Sequence, residues 1–334
     1  MTRQAILLGV KLATSGLIGL LIAGWMQNLH PAFDSPSHFR LHLAGFLVLS
    51  CAILFATRCW KWGGLGVVVV LVSLALTLPY LPGTGTVAGM GTATGTGDNS
   101  AEAAGNQPPS EDDGRPDIIR LVQMNVRYNN AQFSKATDVI KAAKPDIALL
   151  QEITRTNEDL LEDLKPELPH QLYCHQRGAG SVAILSRFPF GSTSKRQCLW
   201  TLGFARAEIM LNGTAYDLAS FHSRWPWPFS QSKQWQSLQP ELEALKNPLI
   251  LAGDFNAAPW SAIVQNTAQI TGTKVAPDLL MTWGPPNAAL RPIFGQLLPI
   301  DHVMISPQLT FLSRQILADG GSDHYPILTR IKLP

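Results

Sequence analysis

The sequence has little charge of either sign. Only 15% of its 334 residues are charged and the formal net charge is +2, whereas about a quarter of the residues in an ordinary soluble protein are charged. A protein that grips many phosphates through bulk electrostatics has a strong excess of lysine and arginine, so a general nucleic-acid binder is disfavoured. The same balance gives no sign of a protein that lies on an acidic membrane surface.

Acidic residues are nearly absent from residues 1–81, which hold five basic residues but only one acidic residue, Asp34. Three apolar stretches dominate this region: Ala5–Met26, Leu41–Thr57 and Trp62–Tyr80. Each approaches the roughly 20 residues needed to cross about 30 Å of hydrocarbon. Aromatic residues that are typical of membrane interfaces lie at their ends, namely Trp25, Trp60, Trp62 and Tyr80. The pattern predicts a membrane anchor of three transmembrane helices.

Two other interpretations of this region are a signal peptide followed by soluble sequence, and a bundle of buried core helices. A signal peptide needs a cleavage site with small residues, and Gly24-Trp25-Met26-Gln27 is a poor one. A soluble bundle needs polar helix faces, which these stretches lack. The basic residues Arg3, Arg58 and Lys61 favour cytoplasmic ends, so three spans place the remainder on the outer side of an inner or plasma membrane.

Apolar periodicity is also missing from residues 82–117, which are rich in glycine, threonine and alanine. Such a segment cannot bury a core and is expected to be a disordered linker. It separates the anchor, residues 1–81, from a folded domain at residues 118–334.

The folded domain alternates predicted strands and helices without an internal repeat. Helices are expected at Phe133–Lys144, Thr156–Leu164 and Gln231–Leu245. Strands are expected around them, several in succession without an intervening helix. This mixture predicts an α/β fold, a four-layered α/β/β/α sandwich of two packed sheets with helices outside.

The segment Asn247–Pro259 stands out within this domain. Its apolar first half predicts a buried strand, and Asp254 and Asn256 follow at the strand end. Residues two apart on an extended chain project to the same side, so both side chains can address one target. The alternative is a turn in which these residues only terminate the strand.

Other predicted strands also end or begin with polar side chains capable of chemistry. They are Asn125, Glu152, His222, Asp301 and the pair Asp323-His324. Functional residues concentrate on loops at strand ends, so their number in one domain points to a single site.

These motifs resemble those of the endonuclease/exonuclease/phosphatase superfamily, which includes pancreatic-type deoxyribonucleases, abasic-site endonucleases, sphingomyelinases and inositol-phosphate phosphatases. The resemblance is carried in the family's order by Met124-Asn125-Val126-Arg127, Leu150-Gln151-Glu152, Ser220-Phe221-His222, Gly253-Asp254-Phe255-Asn256, Ile300-Asp301-His302 and Ser322-Asp323-His324. It covers residues 118–334 and implies a phosphoesterase that uses a divalent metal, Mg²⁺ or possibly Mn²⁺. The histidine at position 222 resembles the histidine that the deoxyribonuclease and sphingomyelinase branches carry at the matching position.

The resemblance also implies roles for single residues. Glu152, Asn125 and Asp323 would hold the metal, which in proteins prefers oxygen ligands. His324, oriented by Asp301, would be the general base or contact phosphate.

By the same resemblance, Asp254 would position the attacking water and Asn256 would donate a hydrogen bond to a phosphoryl oxygen. His222 would be a second catalytic histidine, and Arg127 would grip phosphate. The expected reaction is in-line attack of activated water on a phosphodiester or phosphomonoester.

The substrate is less constrained by the sequence. Nucleic acid, phospholipid and small phosphoesters all remain, since basic and acidic residues nearly balance in the domain. The segment Arg224–Phe229 holds three aromatic residues, for which core packing, stacking of bases and insertion at a lipid interface are alternatives. A different class of function, a non-catalytic tethered domain that binds phosphorylated ligands or partner proteins, is the second hypothesis.

Cysteine is scarce, with four residues in the chain. Cys51 and Cys59 belong to the anchor, which leaves Cys174 and Cys198 in the domain. These two could form a disulfide outside the cytoplasm or remain separate buried thiols.

Overall fold

The computed structural model describes residues 3–81, 115–175, 180–192, 196–245, 248–285 and 295–334. Nearly all of the expected linker lies outside the described residues, so its predicted disorder stays a prediction.

The N-terminal region is helical. Its helices are α1 (Arg3–Trp25), α2 (Pro31–Ser37), α3 (Arg40–Ala56) and α4 (Trp60–Ala75). The three long helices α1, α3 and α4 pack around a small cluster that includes Leu21, Leu47, Cys51 and Val69.

The prediction of three membrane-spanning helices is not confirmed. Among the described residues, α1 alone is long and apolar enough to cross a membrane, or to be a signal sequence; α2 and α3 qualify only as a pair bent by 64°. The 17 residues of α3 and the 16 residues of α4 each extend about 25 Å at 1.5 Å per residue, which is shorter than about 30 Å of hydrocarbon.

The remainder of the chain forms two mixed six-stranded sheets, which confirms the expected α/β fold with two sheets. The first has the order β11-β12-β1-β2-β4-β3 and the second β5-β6-β7-β8-β10-β9. In chain order the strands are β1 (Ile118–Asn125), β2 (Ile147–Gln151), β3 (His170–Cys174), β4 (Val182–Ser186), β5 (Gln197–Leu199), β6 (Phe204–Leu211), β7 (Thr214–His222), β8 (Leu249–Asp254), β9 (Lys274–Val275), β10 (Asp301–Ile305), β11 (Thr310–Ile316) and β12 (Ile327–Lys332).

Helices cover the outer face of each sheet. The helices are α5 (Phe133–Ala142), α6 (Asp159–Leu164), α7 (Gln231–Glu243) and α8 (Ala262–Thr271). One buried apolar cluster lies between the sheets, a second joins the first sheet to α5 and α6, and a third joins the second sheet to α7 and α8. The alternation of side chains along each strand supplies both faces with apolar groups.

Two elements differ from the sequence prediction for local reasons. Helix α8 was not predicted, although Ser261 caps it by accepting a hydrogen bond from the Val264 amide. Helix α6 begins later than expected because the buried Asn157 side chain bonds to loop backbone, accepting from the Thr154 amide at 2.7 Å and donating to the Arg127 carbonyl at 2.9 Å.

Strand register positions the polar strand ends. Parallel pairing of β1 with β2 sets Asn125 opposite Gln151, and parallel pairing of β7 with β8 sets His222 opposite Asp254. Antiparallel pairing of β10 with β8 sets Asp301 opposite Asp254. The carboxyl ends of the central strands of both sheets therefore meet at one edge of the sandwich.

Candidate active site

Asp301 and His324 form a buried pair at this edge. The His324 Nδ1 lies 2.8 Å from the Asp301 Oδ2, which also accepts a hydrogen bond from the Thr282 hydroxyl at 2.6 Å. The other oxygen of Asp301 accepts from the Gln123 amide at 2.8 Å. A carboxylate held by three donors fixes the orientation of the imidazole and leaves its Nε2 directed elsewhere.

The charges of this pair stabilise each other. Burial opposes the charged form of both groups, yet His324 and the two neutral donors hold the pKa of Asp301 below its ordinary value. Burial would likewise lower the pKa of His324, but the Asp301 and Asp254 carboxylates raise it to about 10. The two carboxylates therefore favour the charged form of the imidazole.

Asp254 lies between two histidines. Its Oδ2 is 3.6 Å from the Nε2 of His324 and 3.6 Å from the Nε2 of His222, and it accepts a hydrogen bond from the Asn125 amide at 2.9 Å. Burial raises the pKa of Asp254 to about 6, with both histidines acting in the opposite direction. A buried carboxylate whose pKa lies above its ordinary value and which is flanked by two imidazoles can accept a proton.

Glu152 completes the set from the first sheet. It follows β2 with a φ of 62°, a conformation that turns the chain sharply at the strand end. Its Oε1 accepts from the Asn125 amide at 3.0 Å and lies 3.5 Å from the His222 Nε2, while its Oε2 accepts from the Tyr128 backbone amide at 2.8 Å. Unlike Asp254, the Glu152 side chain is partly accessible to solvent.

Asn256 forms a turn with Asp254. Its backbone amide donates to the Asp254 Oδ1 at 2.7 Å, and its side-chain amide donates to the Ser223 carbonyl at 2.8 Å. The turn that the sequence offered as an alternative is present, and it fixes the Asp254 carboxylate beside the two histidines.

Arg127 and Asp323 lie at one side of the same cluster. The Arg127 Nε is 3.9 Å from the Asp323 Oδ1, and the Arg127 backbone amide donates to the Asn125 Oδ1 at 2.9 Å. Ser322, the residue before Asp323, donates from its hydroxyl to the Asn125 carbonyl at 2.7 Å. All nine residues singled out in the sequence therefore belong to one connected neighbourhood.

The donor set suits a divalent cation. Glu152, His222 and Asp254 each offer a ligand atom, and these atoms lie within 4.8 Å of one another; the same holds for Asp254, Asp301 and His324. Glu152 is the accessible carboxylate, and hard cations such as Mg²⁺ take one or two carboxylates and keep several waters. Asp323 was also expected to be a ligand, but among the described residues it belongs to neither of these two groups and instead contacts Arg127.

Several residues that support the site have no role predicted from the sequence. Gln123 links the two sheets by donating to Asp301 and to the Gln151 side chain. Gln151 in turn donates to the Ser220 hydroxyl at 3.0 Å. A glutamine within an otherwise apolar strand could have indicated this contact, because a buried amide needs a hydrogen-bond partner.

An open cleft leads to Glu152 and His222 and has a volume of about 370 Å³. Trp225 and Phe229 line it and are exposed by 53% and 65%, and Trp227, which lies between them in the sequence, is exposed by 51%. The core-packing interpretation of this segment is therefore wrong.

Cys174 and Cys198 are joined by a disulfide, which resolves the two alternatives left by the sequence. The bond links β3 of the first sheet to β5 of the second.

Comparison with solved structures shows the same fold. A humanized D. rerio TDP2 has 18% identity and a TM-score of 0.50, and the match covers 65% of this chain and 99% of that chain. An endonuclease/exonuclease/phosphatase from Beutenbergia cavernae has 19% identity and a TM-score of 0.49, covering 65% and 72%. Sphingomyelinase C from Streptomyces griseocarneus has 16% identity and a TM-score of 0.47, covering 65% and 99%.

A comparison with curated protein sequences gave no significant match. The family model described as the endonuclease/exonuclease/phosphatase family matches residues 122–324, which include the site from Gln123 to His324. The chain belongs to the endonuclease/exonuclease/phosphatase family.

Proposed function

We propose that the chain is a metal-dependent phosphoesterase anchored to a membrane. The observation that carries this proposal is the convergence of Glu152, Asp254, His222 and the Asp301–His324 pair around one point at the sheet edge. Phosphoester hydrolysis needs carboxylates that hold a cation, a group that accepts a proton from water, and donors that contact the phosphoryl oxygens. This cluster offers all three.

Glu152 and Asn125, with Asp323 directly or through water, would hold the cation, which is Mg²⁺ with Mn²⁺ as a substitute. When bound, the cation polarises phosphoryl oxygens and offsets the charge that develops on them. The Asn125 amide contacts both Glu152 and Asp254, so it sets the spacing between the carboxylate for the cation and the carboxylate for the water.

Asp254 would accept the proton of the attacking water in line with the leaving oxygen. The charged form of His324, which Asp301 and Asp254 favour, donates to a phosphoryl oxygen, and this supports phosphate contact over general-base action for His324. His222 faces the cleft side of Asp254 and would protonate the leaving oxygen. Asn256 holds Asp254 in place through its backbone amide, and its side-chain amide, which lies 3.4 Å from the Asp254 Oδ2, would turn this weak contact toward a phosphoryl oxygen when substrate binds. Arg127 would contact the remaining phosphate charge.

Membrane anchoring is supported by the surface of the N-terminal helices. Only 11% of the apolar window of α1 is buried, which is unlike the core helix of a soluble protein. Helices α3 and α4 also expose large apolar side chains, for example Phe46, Leu49 and Leu71. We infer that α1 crosses the membrane and that α3 and α4 form a shorter hairpin beside it in an inner or plasma membrane.

An extracytoplasmic catalytic domain is supported by the disulfide between Cys174 and Cys198, because such bonds persist in oxidising compartments. Substrate presentation at the bilayer is supported by the exposed Trp225, Trp227 and Phe229 beside the cleft, since tryptophan is enriched at membrane interfaces. A phospholipid phosphodiester is therefore favoured over nucleic acid.

The test is hydrolysis by the full chain purified in detergent. Bis(4-nitrophenyl) phosphate with Mg²⁺ should release nitrophenolate, and a panel of phosphatidylcholine, sphingomyelin, single-stranded DNA and a sugar phosphate should identify the preferred class. Binding of these compounds without hydrolysis of any would contradict the proposal and favour the non-catalytic alternative.

A further inference from the structure

The segment between α1 and α3 docks on the catalytic domain close to the site. On the catalytic domain, the contact is made by residues 257–262, which directly follow Asn256 and end at the first residue of α8. Several hydrogen bonds join the two segments. The Ala258 amide donates to the His38 Nδ1 at 3.1 Å, the Trp260 indole donates to the Ser37 carbonyl at 2.7 Å, and the Ala262 amide donates to the Asp34 Oδ1 at 3.2 Å.

Trp260 is the centre of this interface. Its side chain is buried between the helices and the domain, with the Arg40 guanidinium 5.0 Å above the ring and the Tyr80 ring 5.7 Å away at its edge. The Gln27 amide donates to the Trp260 carbonyl. An indole enclosed by Ser37, Arg40 and Tyr80, which come from separate parts of the N-terminal region, marks a specific contact rather than a loose tether.

The other side of the same loop supports the active site. The Ala257 carbonyl bonds to the buried His302 Nε2 at 2.7 Å, and His302 is adjacent to Asp301 on β10. Asn256, one residue earlier, holds the Asp254 carboxylate. Only Ala257 separates Asn256 from Ala258, the residue that the N-terminal region holds.

We propose that His38 is a positioning residue for the active site, so that the N-terminal helices are a working part of the catalytic centre. The inference rests on the proposed phosphoesterase activity. His38 fixes the Ala258 amide, and this fixes the turn at Asn256 and thereby the distances from Asp254 to His222 and His324.

The hydrogen-bonding state of His38 supports a dedicated contact. The side chain is 5% exposed, and its Nδ1 is the acceptor for the Ala258 amide, so the ring proton is on Nε2. Among the described residues the Nε2 has no hydrogen-bond partner. A buried ring with one unsatisfied nitrogen is unfavourable for stability, so the bond that the other nitrogen makes is the favourable interaction of this side chain.

The experiment compares His38→Leu with His38→Asn in the full chain, in detergent micelles with Mg²⁺ and bis(4-nitrophenyl) phosphate. Leucine has a similar size but no acceptor, whereas the asparagine oxygen can take the place of Nδ1. His38→Leu should lower kcat by at least about 10-fold with KM changed by less than about twofold, because misplaced groups reduce the chemical step. His38→Asn should retain most of the wild-type kcat.

Amide hydrogen exchange of residues 257–262, measured by mass spectrometry, provides the second readout. Exchange should be faster in His38→Leu than in the wild type and close to the wild type in His38→Asn. The control is Thr14→Val, which removes the buried hydrogen bond between Thr14 and Ser50 at 2.6 Å without touching the loop. It should leave kcat and loop exchange unchanged.

Wild-type kcat and exchange in His38→Leu would overturn the inference, as would equal losses in His38→Leu and His38→Asn or in His38→Leu and Thr14→Val. An inactive wild type with faster loop exchange in His38→Leu would reject the proposed function but keep the docking contact. An inactive wild type with no difference in exchange would reject both.

Discussion

The two regions of this chain expose different kinds of side chain. In the catalytic domain the large apolar groups point inward, and Phe221 and Phe255 are almost wholly buried between sheet and helices. In the N-terminal helices large apolar groups point outward, with Leu12, Leu49 and Leu71 each at least 60% exposed.

The contacts between the N-terminal helices include small and polar side chains beside the apolar cluster of Leu21, Leu47 and Val69. Thr14 and Ser50 meet in a buried hydrogen bond between α1 and α3, and Gly66 of α4 lies so close to α3 that a Cβ there would be 2.3 Å from the Cys51 Sγ. Small residues and hydroxyls at contacts, with leucine outside, are typical of helices that pack in lipid. The contrast supports the proposed membrane anchor.

Removal of divalent cations should have the largest effect and should affect only the catalytic region. With EDTA, phosphodiester hydrolysis should fall to the background rate, because the phosphoryl charge is no longer neutralised beside Glu152. Excess Mg²⁺ should restore the rate, and the helical circular dichroism signal should not change. Full hydrolysis after exhaustive chelation would contradict the assigned metal dependence.

His324→Ala should lower kcat by about 10²–10³-fold, the usual loss when a hydrogen-bond donor to developing oxyanion charge is removed. His170→Ala is the matched control, since His170 lies on β3 and packs against Phe190 away from the site. The measurement is steady-state hydrolysis with thermal unfolding of both variants as a check. Equal activity of the two variants would remove His324 from the mechanism.

Leu71→Asp sharpens the contrast between the two regions. If α4 lies in lipid, an aspartate at its outer face should cost about 2.5–3.5 kcal/mol and release protein from membranes in alkaline extraction. Met210→Asp, at a position 49% exposed on β6, should change stability by less than about 0.5 kcal/mol. A Leu71→Asp protein that is more soluble and equally stable would show that these helices face water.

Cys198→Ser should destabilise the catalytic domain alone. Its bond with Cys174 spans 24 residues, and opening a loop of this size should lower the free energy of unfolding by about 3 kcal/mol. Urea unfolding followed by tryptophan fluorescence is the measurement. Cys59→Ser, which alters a free cysteine between α3 and α4, is the control and should leave the transition unchanged. A wild-type midpoint that is insensitive to reductant would contradict this prediction.

The convergence of the site could be predicted because its residues stand at strand ends. Asn125, His222 and Asp254 follow the carboxyl ends of parallel strands, and such ends meet at one sheet edge once the strands pair. The two-sheet fold followed from the order of strands and helices for a similar reason, since neighbouring elements usually pack together.

The docking of the N-terminal helices could not be predicted. His38 and Ala258 are 220 residues apart, and Trp260 is a single aromatic residue in a loop. Neither belongs to a periodic pattern, and only tertiary packing brings them together. The length of α4 could not be predicted either, because the apolar sequence continues past Ala75 whereas the regular helix ends there.

The most direct test of the central claim is the hydrolysis rate of Glu152→Gln beside that of Glu162→Gln, a control on the exposed face of α6. We expect Glu152→Gln to lose phosphodiester hydrolysis and to bind Mg²⁺ more weakly, while Glu162→Gln matches the wild type. Glu152→Gln hydrolysing at the wild-type rate would contradict the claim that the strand ends form one metal-dependent phosphoesterase centre.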